Sequence, residues 1–206
     1  MSILLVRHGE TPSNRERVMQ LEDTPLSALG MRQAELLAPR LHAAGIAEIL
    51  CSDLTRARMT AEPLLRTSAA PLTLTPLLRE RSFGDLRGTP YSALSCDPFA
   101  PDFEPPGGES WPVFYARVAE AFALVCARKR ALDARGSASV QNLIVITHGL
   151  VLRALIQHHV HWPDEAGERP HFFSNTSVTE LSGDAPYAVM QLNCCAHLAA
   201  QGANPC

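Results

Sequence analysis

Two apolar runs in this chain end the same way. Ile3-Leu4-Leu5-Val6 passes into Arg7-His8-Gly9, and Leu143-Ile144-Val145-Ile146 passes into Thr147-His148-Gly149. A short continuous apolar run closed by a glycine turn reads as a fully buried strand. Two such strands, lying parallel, deliver two histidines to one edge of a sheet, and open α/β sheets hold their ligands at the carboxyl ends of their strands. A phosphate-handling site built on His8 and His148 is the expectation against which the remaining sequence is read.

The stretches between and after these runs alternate in pattern. Glu10 to Asn14 is a polar turn opening a short helix, and Asp23 to Ser27 is a loop. Ser27 is an N-cap for a helix over 28–44 that Gly45 ends, with Pro39 expected to kink it or end it early. A strand over 46–51 leads to a helix that opens at Asp53 and closes near Leu65, with Pro63 close to its end, and 72–74 form a third strand. The loop over 83–88 is irregular. Residues 90 to 112 hold six prolines and read as loop with one helical turn near Tyr91. A loop of that length inside a compact domain is a cover over a site rather than a linker.

A long helix over 110–134 shows Val113, Val118, Ala121, Phe122 and Val125 on one face, followed by a turn at 136–139. The second His-Gly strand covers 142–147 and a helix runs from Leu150 to about His159. Strands over 177–181 and 188–192 follow, and the tail after Leu198 reads as frayed. Strands alternating with helices give an α/β fold, with a mainly parallel central sheet and helices on both faces. One domain over 1–206 is expected, with a loop-rich cover at about 83–115.

Composition narrows the function classes. A net charge of -3 argues against general binding of nucleic acid or anionic membranes. No stretch approaches the ~18–20 continuous apolar residues of a membrane span, and Arg7 and His8 interrupt the first apolar run, so no signal-peptide layout is expected. The cysteines at 51, 96, 126, 194, 195 and 206 form no CxxC pattern, which suits reduced thiols in the cytoplasm. Of the 18 basic residues 17 are Arg and only Lys129 is Lys, so any strong anion site must use guanidinium forks. His158, His159 and His161 read as a solvated helix end, because no carboxylate or Cys completes a metal-site spacing. No metal ligand set and no cofactor are expected.

Arg7 and His8, Arg56, Glu80 and His148 each lie just past an expected strand. Two Arg and two His in one place repel unless an anion holds them, and phosphate fits: Arg offers bidentate donors, and backbone N–H groups at Gly9 and Gly149 can add more. One neutral imidazole can then attack phosphorus and carry the phosphoryl group. Glu80 is the candidate proton donor, later the base that activates water; its other reading is neutralisation of Arg79 and Arg81.

Leu5-Val6-Arg7-His8-Gly9-Glu10-Thr11 resembles the signature of the histidine phosphatase superfamily, in its phosphoglycerate mutase-like branch 1. Further blocks follow in family order: Asp23-Thr24-Pro25-Leu26-Ser27, Ser52 to Ala57, Leu78-Arg79-Glu80 with Phe83-Gly84, Pro106 to Ser110, Thr147-His148-Gly149 and Asn175 to Val178. The resemblance implies a three-layer α/β/α fold with no metal or organic cofactor. It makes His8 the nucleophile, Glu80 the proton donor, and Arg7, Arg56 and His148 the phosphoryl binders, with Asn14 assisting; Asn14 also reads as a plain cap residue. Gln20-Leu21-Glu22 stands where the family usually has Gly, a departure that bears on pocket shape. Arg15, Arg17 and Arg58 read as solvated or as loosely attracting substrate, and Trp111, Phe114 and Phe122 as core. A mutase needs extra fixed cations, yet residues 88 to 116 contain no Arg or Lys. The expected activity is therefore a phosphatase acting on a small phosphorylated metabolite such as a sugar, nucleotide or cofactor-precursor phosphate. Mutase-type phosphoryl transfer and a non-catalytic phosphate-binding module are the alternatives.

Overall fold

The computed structural model describes residues 1–136, 141–162 and 167–201. The expected turn at 137–139 and Cys206 lie outside the described residues. In chain order the elements are β1 (Ile3–Arg7), α1 (Pro12–Glu16), α2 (Ala28–Ala44), β2 (Ile46–Ser52), α3 (Thr55–Thr67), β3 (Leu72–Thr75), α4 (Trp111–Arg135), β4 (Asn142–Thr147), α5 (Gly149–His158), β5 (Val178–Leu181) and β6 (Val189–Cys194). They build one six-stranded sheet in the order β3-β2-β4-β1-β5-β6. The β1–β4, β2–β4 and β2–β3 pairings are parallel. β5 and β6 add an antiparallel edge that the sequence pattern did not distinguish.

Alternation along the strands divides the core into two layers. Ile3, Leu5, Leu143 and Val145 face Val118 and Val125 of α4 and Leu152 of α5. Leu4, Val6, Ile144 and Ile146 face Leu37 and Leu41 of α2 and Ala61 of α3. The architecture is a three-layer α/β/α fold. Each fully buried side chain of this size contributes ~1.5–3 kcal/mol. A one-residue slip of β1 would exchange both faces and displace His8, so the two-sided core fixes the site's register.

Two expectations about helices change. α2 runs through Pro39 to Ala44 and stops only at Gly45, whose φ is 79°. Ala38 and Leu41, on either side of the proline, are buried against the sheet, and that packing offsets the hydrogen bond Pro39 cannot donate. α3 runs past Pro63, as expected, and ends at Thr67. Val113, expected on the buried face of α4, is 58 % exposed. In that first turn Trp111 and Phe114 take the inward side.

The proline-rich segment is fastened by the buried Arg81 and the half-buried Arg117. Arg81 donates to the carbonyls of Glu109 (3.0 Å), Pro98 (3.2 Å) and Phe103 (2.6 Å), with its guanidinium 3.8 Å from the Trp111 ring centre. Trp111 Nε1–H in turn donates to the Ala100 carbonyl at 2.7 Å. Arg117 grips the Glu109 carboxylate with two hydrogen bonds of 2.7 Å and donates to the carbonyls of Leu77 and Arg79 at 2.9 and 2.8 Å. Gly84 sits where these strands of loop cross, with φ of +53° and space for a Cβ only 2.0 Å from the Pro106 carbonyl oxygen. Gly84→Ala must therefore displace the cover; it should lower stability by about 1–3 kcal/mol in urea unfolding and expose 83–110 to limited proteolysis. Unchanged stability and protection would show that the cover is not fastened this way.

Candidate active site

Because β1 and β4 are parallel neighbours, Arg7 lies opposite Thr147. The His8 backbone N–H then donates to the Thr147 carbonyl at 3.0 Å. The two imidazoles arrive side by side, ring centres 5.0 Å apart, and both are buried. His8 Nδ1 lies 2.7 Å from the Gly9 carbonyl oxygen. A carbonyl only accepts, so Nδ1 carries the proton and Nε2 keeps its lone pair. Burial first, then the charges of Arg56 and Arg7, hold the His8 pKa well below the usual imidazole value, which keeps the ring neutral.

His148 is oriented from β2. Its Nε2 lies 2.8 Å from Ser52 Oγ, at the end of that strand. Ser52 Oγ also accepts the Leu54 N–H at 3.4 Å, so its own proton is free to go to His148 Nε2. Neutral His148 then presents an N–H at Nδ1. Its pKa too is lowered, by burial and by the Arg56 charge.

Arg7 and Arg56 are each anchored by one arm. Arg7 Nη1 donates to the Phe173 carbonyl and Arg56 Nη1 to the Leu21 carbonyl at 3.1 Å. Burial lowers the Arg56 pKa to about 10, so it remains cationic at neutral pH. Four buried side-chain nitrogen or oxygen atoms have no partner among the described residues, and three of them are Arg7 Nε, Arg56 Nε and His148 Nδ1. An orphaned buried donor costs about 1–3 kcal/mol. Three in one cluster, two of them on cations, mark a place for acceptor oxygens carrying negative charge.

Glu80 borders the same cavity of about 600 Å3 as Arg7, His8, Arg56 and Asn14. Its carboxylate accepts the Arg81 N–H at 3.1 Å and the Leu150 N–H at 3.2 Å. Burial outweighs these donors and raises its pKa. Neither flanking arginine neutralises it. Arg79 makes a bidentate pair with Asp53 at 2.6 and 2.7 Å, and Arg81 is committed to the cover.

Asn14 combines its two sequence readings. Its Oδ1 accepts the Thr11 N–H at 3.2 Å in the capping box of α1 and is 3.4 Å from Asn175 Nδ2, which leaves its amide nitrogen as the donor for the cavity. Gly149 opens α5 in the cavity wall, where helix N–H groups lack intrahelical partners. Gly9 departs from expectation. Its N–H donates to Thr60 Oγ1 at 3.0 Å, so it is not an available phosphate donor. A Cβ on Gly9 would fall 2.7 Å from the Gly30 carbonyl oxygen; the residue is small so that α2 can approach.

Sequence reasoning missed several participants. Ser52 could have been found, as a polar residue ending an apolar strand beside the second His-Gly strand. Arg17, expected in solvent or loosely attracting substrate, is exposed and borders the cavity, 5.8 Å from the Tyr91 ring centre. Gln20-Leu21-Glu22 is structural as well as lining: Glu22 pairs with Arg87 at 2.8 Å and Arg79 at 3.5 Å. His158 and His159 pack on Tyr115 and Phe122, with ring centres 4.8 and 5.2 Å apart. Among the described residues no group of His, Cys, Asp and Glu could hold a metal ion, and no helix is long and apolar enough to cross a membrane.

Comparison with known proteins places this geometry in context. The profile of the histidine phosphatase superfamily (branch 1) matches residues 3–193. A Xenopus laevis protein named fructose-2,6-bisphosphatase TIGAR is 33% identical over 136 residues, 61% of this chain and 50% of its own length. The chain spans about half the length of the curated relatives it matches first. Among solved structures, Bacillus stearothermophilus YhfR superposes with a TM-score of 0.79 at 27% identity, covering 96% of this chain and 98% of its own. A mycobacterial glucosyl-3-phosphoglycerate phosphatase in complex with VO3 gives 0.78 at 27% identity, covering 93% and 98%.

The lowered histidine pKa values have a consequence for stability. Below about pH 6.5 unfolded imidazoles bind protons that folded His8 and His148 refuse, so each removes up to ~1.4 kcal/mol of stability per pH unit as pH falls through that window. Glu80, with its pKa raised on folding, works in the opposite sense: its contribution is present at low pH and lost as pH rises through the folded value. Urea unfolding of the wild type should weaken from pH 7 to pH 5, and His8→Asn should show a shallower decline. Parallel pH profiles would contradict the assignment of a buried neutral His8.

Proposed function

The chain belongs to branch 1 of the histidine phosphatase superfamily, and from that premise we propose that it hydrolyses a small phosphomonoester through a phosphohistidine intermediate. One observation carries the reading: three orphaned donors surround a neutral imidazole whose Nε2 lone pair is free. His8 Nε2 attacks phosphorus as the P–O bond to the alcohol breaks. Arg7, Arg56 and the Nδ1–H of His148 hold the non-bridging oxygens as charge develops on them, the effect that supplies most of the acceleration in sites of this type. The Asn14 amide and the Gly149 N–H extend the same cradle. Ser52 is a positioning residue that keeps the His148 donor aimed.

Glu80, whose pKa burial raises in favour of the protonated form, gives its proton to the departing alkoxide. The resulting carboxylate takes a proton from water, which attacks the phosphorus of phospho-His8. Inorganic phosphate leaves, Nε2 regains its lone pair, and Glu80 is again protonated. The residues supply all the charge and proton movement in this cycle.

Hydrolysis is favoured over mutase-type transfer by the charge of the cover. Residues 88 to 116 bring no Arg or Lys, and the nearby rim cation Arg87 is paired with Glu22. A non-catalytic binding module is disfavoured because nucleophile, proton donor and second histidine are all present. The reading takes 1–206 as one catalytic domain with 83–115 as its cover. The free thiols at Cys51, Cys96, Cys126 and Cys194 fit action on a soluble metabolite in the cytoplasm, and the net charge of -3 fits a partner other than nucleic acid.

Glu80→Gln should slow hydrolysis of an alkyl phosphate by ~10²–10⁴-fold. In kcat/KM, which reports the step that breaks the ester bond, it should slow p-nitrophenyl phosphate far less, since that phenolate departs without a proton. Equal losses on both esters would remove Glu80 from the role of proton donor.

A further inference from the structure

The cavity in front of His8, at about 600 Å3, lies in the range of pockets that enclose drug-sized ligands. A phosphoryl group on a short-chain alcohol would leave most of it to water. Beyond the cationic floor one part of its lining is aromatic, with Phe83, Tyr91, Phe99 and Phe172 among the lining residues. Phe83 and Phe99 meet edge-on at 5.9 Å, and so do Tyr91 and Phe99, so three rings hold one another in place. Tyr91 interacts electrostatically with both Glu80 and Arg7, which brings this wall up to the reacting groups.

Phe172 reaches the same place from another part of the chain. Its ring centre is 5.2 Å from the Arg7 guanidinium, yet it is 65 % exposed, while its neighbour Phe173 is buried. A large ring exposed at the mouth of a cavity is the kind of apolar surface that a ligand covers. The remaining cations do not assemble a second phosphate clamp. Arg81 is used on the cover carbonyls, Arg87 is paired with Glu22, and Arg17 lies over Tyr91. Arg153 from α5 and the exposed Arg17 are the further guanidiniums in the lining.

Resting on the phosphatase reading above, we infer that the alcohol half of the substrate carries a planar heteroaromatic ring on a polar linker, of the nucleoside 5′-monophosphate type. The ring stacks on Phe172 and is bounded by Phe83, Tyr91 and Phe99. Aromatic pairs prefer offset or edge-on contacts, which this wall offers on more than one side. The Arg153 guanidinium and the Tyr91 hydroxyl are the hydrogen-bonding groups for the linker and the ring heteroatoms.

The test compares the four ribonucleoside 5′-monophosphates with ribose 5-phosphate. All are primary phosphate esters of the same sugar, so leaving-group chemistry is matched and only the ring differs. At least one nucleotide should exceed ribose 5-phosphate by about tenfold, both in kcat/KM with the wild type and in Kd with His8→Ala, since one aromatic contact supports a difference of that size. Phe172→Ala should bring the ratio to within about threefold, and Phe172→Tyr should keep it; a ratio cancels any loss of folded protein. The inference is overturned if no nucleotide exceeds ribose 5-phosphate in either measurement, if Phe172→Ala keeps the ratio, or if a phosphoglycerate or sugar bisphosphate surpasses every nucleotide. Failure of the phosphatase reading is separate: neither ester would be hydrolysed, while the Kd ratio in His8→Ala would still report on the ring.

Discussion

A single strand pairing brings two histidines and two arginines onto one buried floor. β1 and β4 are adjacent and parallel, the His8 N–H meets the Thr147 carbonyl, and the imidazoles end 5.0 Å apart. Arg7 comes with His8 from β1, and Arg56 comes from α3 just beyond β2. Like charges gathered away from water are unfavourable unless something offsets them. The fold limits the repulsion by keeping both imidazoles neutral and leaves the two guanidiniums to an incoming anion. The orphaned nitrogens of Arg7, Arg56 and His148 are the corresponding deficit in hydrogen bonding. Charge and hydrogen-bond vacancy thus ask for the same guest.

Around that floor the scaffold keeps Glu80 from being captured. A carboxylate flanked in sequence by Arg79 and Arg81 would ordinarily pair with one of them and stay ionised. Asp53 occupies Arg79, and the cover carbonyls with the Trp111 ring occupy Arg81. Arg117, clamped to Glu109, donates to the Arg79 carbonyl and fixes the backbone that carries Glu80. In the mechanism proposed above, the cover would serve the chemistry by holding Arg81 away from Glu80.

Much of the fold and floor was legible in the chain, and the reasons are physical. Continuous apolar runs closed by glycine and capping residues such as Ser27 read out directly because local geometry dictates them. His8 and His148 stood out because an apolar strand has few reasons to end in His-Gly twice. Pro39 misled because tertiary burial of Ala38 and Leu41 outweighs a local helix breaker. The Gly9 N–H misled because its partner, Thr60, lies on another helix, and no local pattern announces that contact. Arg117 and Phe172 were missed for the same reason: their roles exist only once distant segments meet. The aromatic wall was least legible, since Phe83, Tyr91, Phe99 and Phe172 come from irregular backbone without periodicity.

The central claim is that His8 Nε2 forms a bond to phosphorus. Protein labelled with 15N-histidine, mixed with a phosphomonoester and quenched during turnover, can be read by 31P–15N NMR. The account predicts one phosphorylated imidazole, coupled through Nε2 and assigned to His8. Phosphorus on His148, on Nδ1, or on no histidine while substrate is being consumed would contradict it.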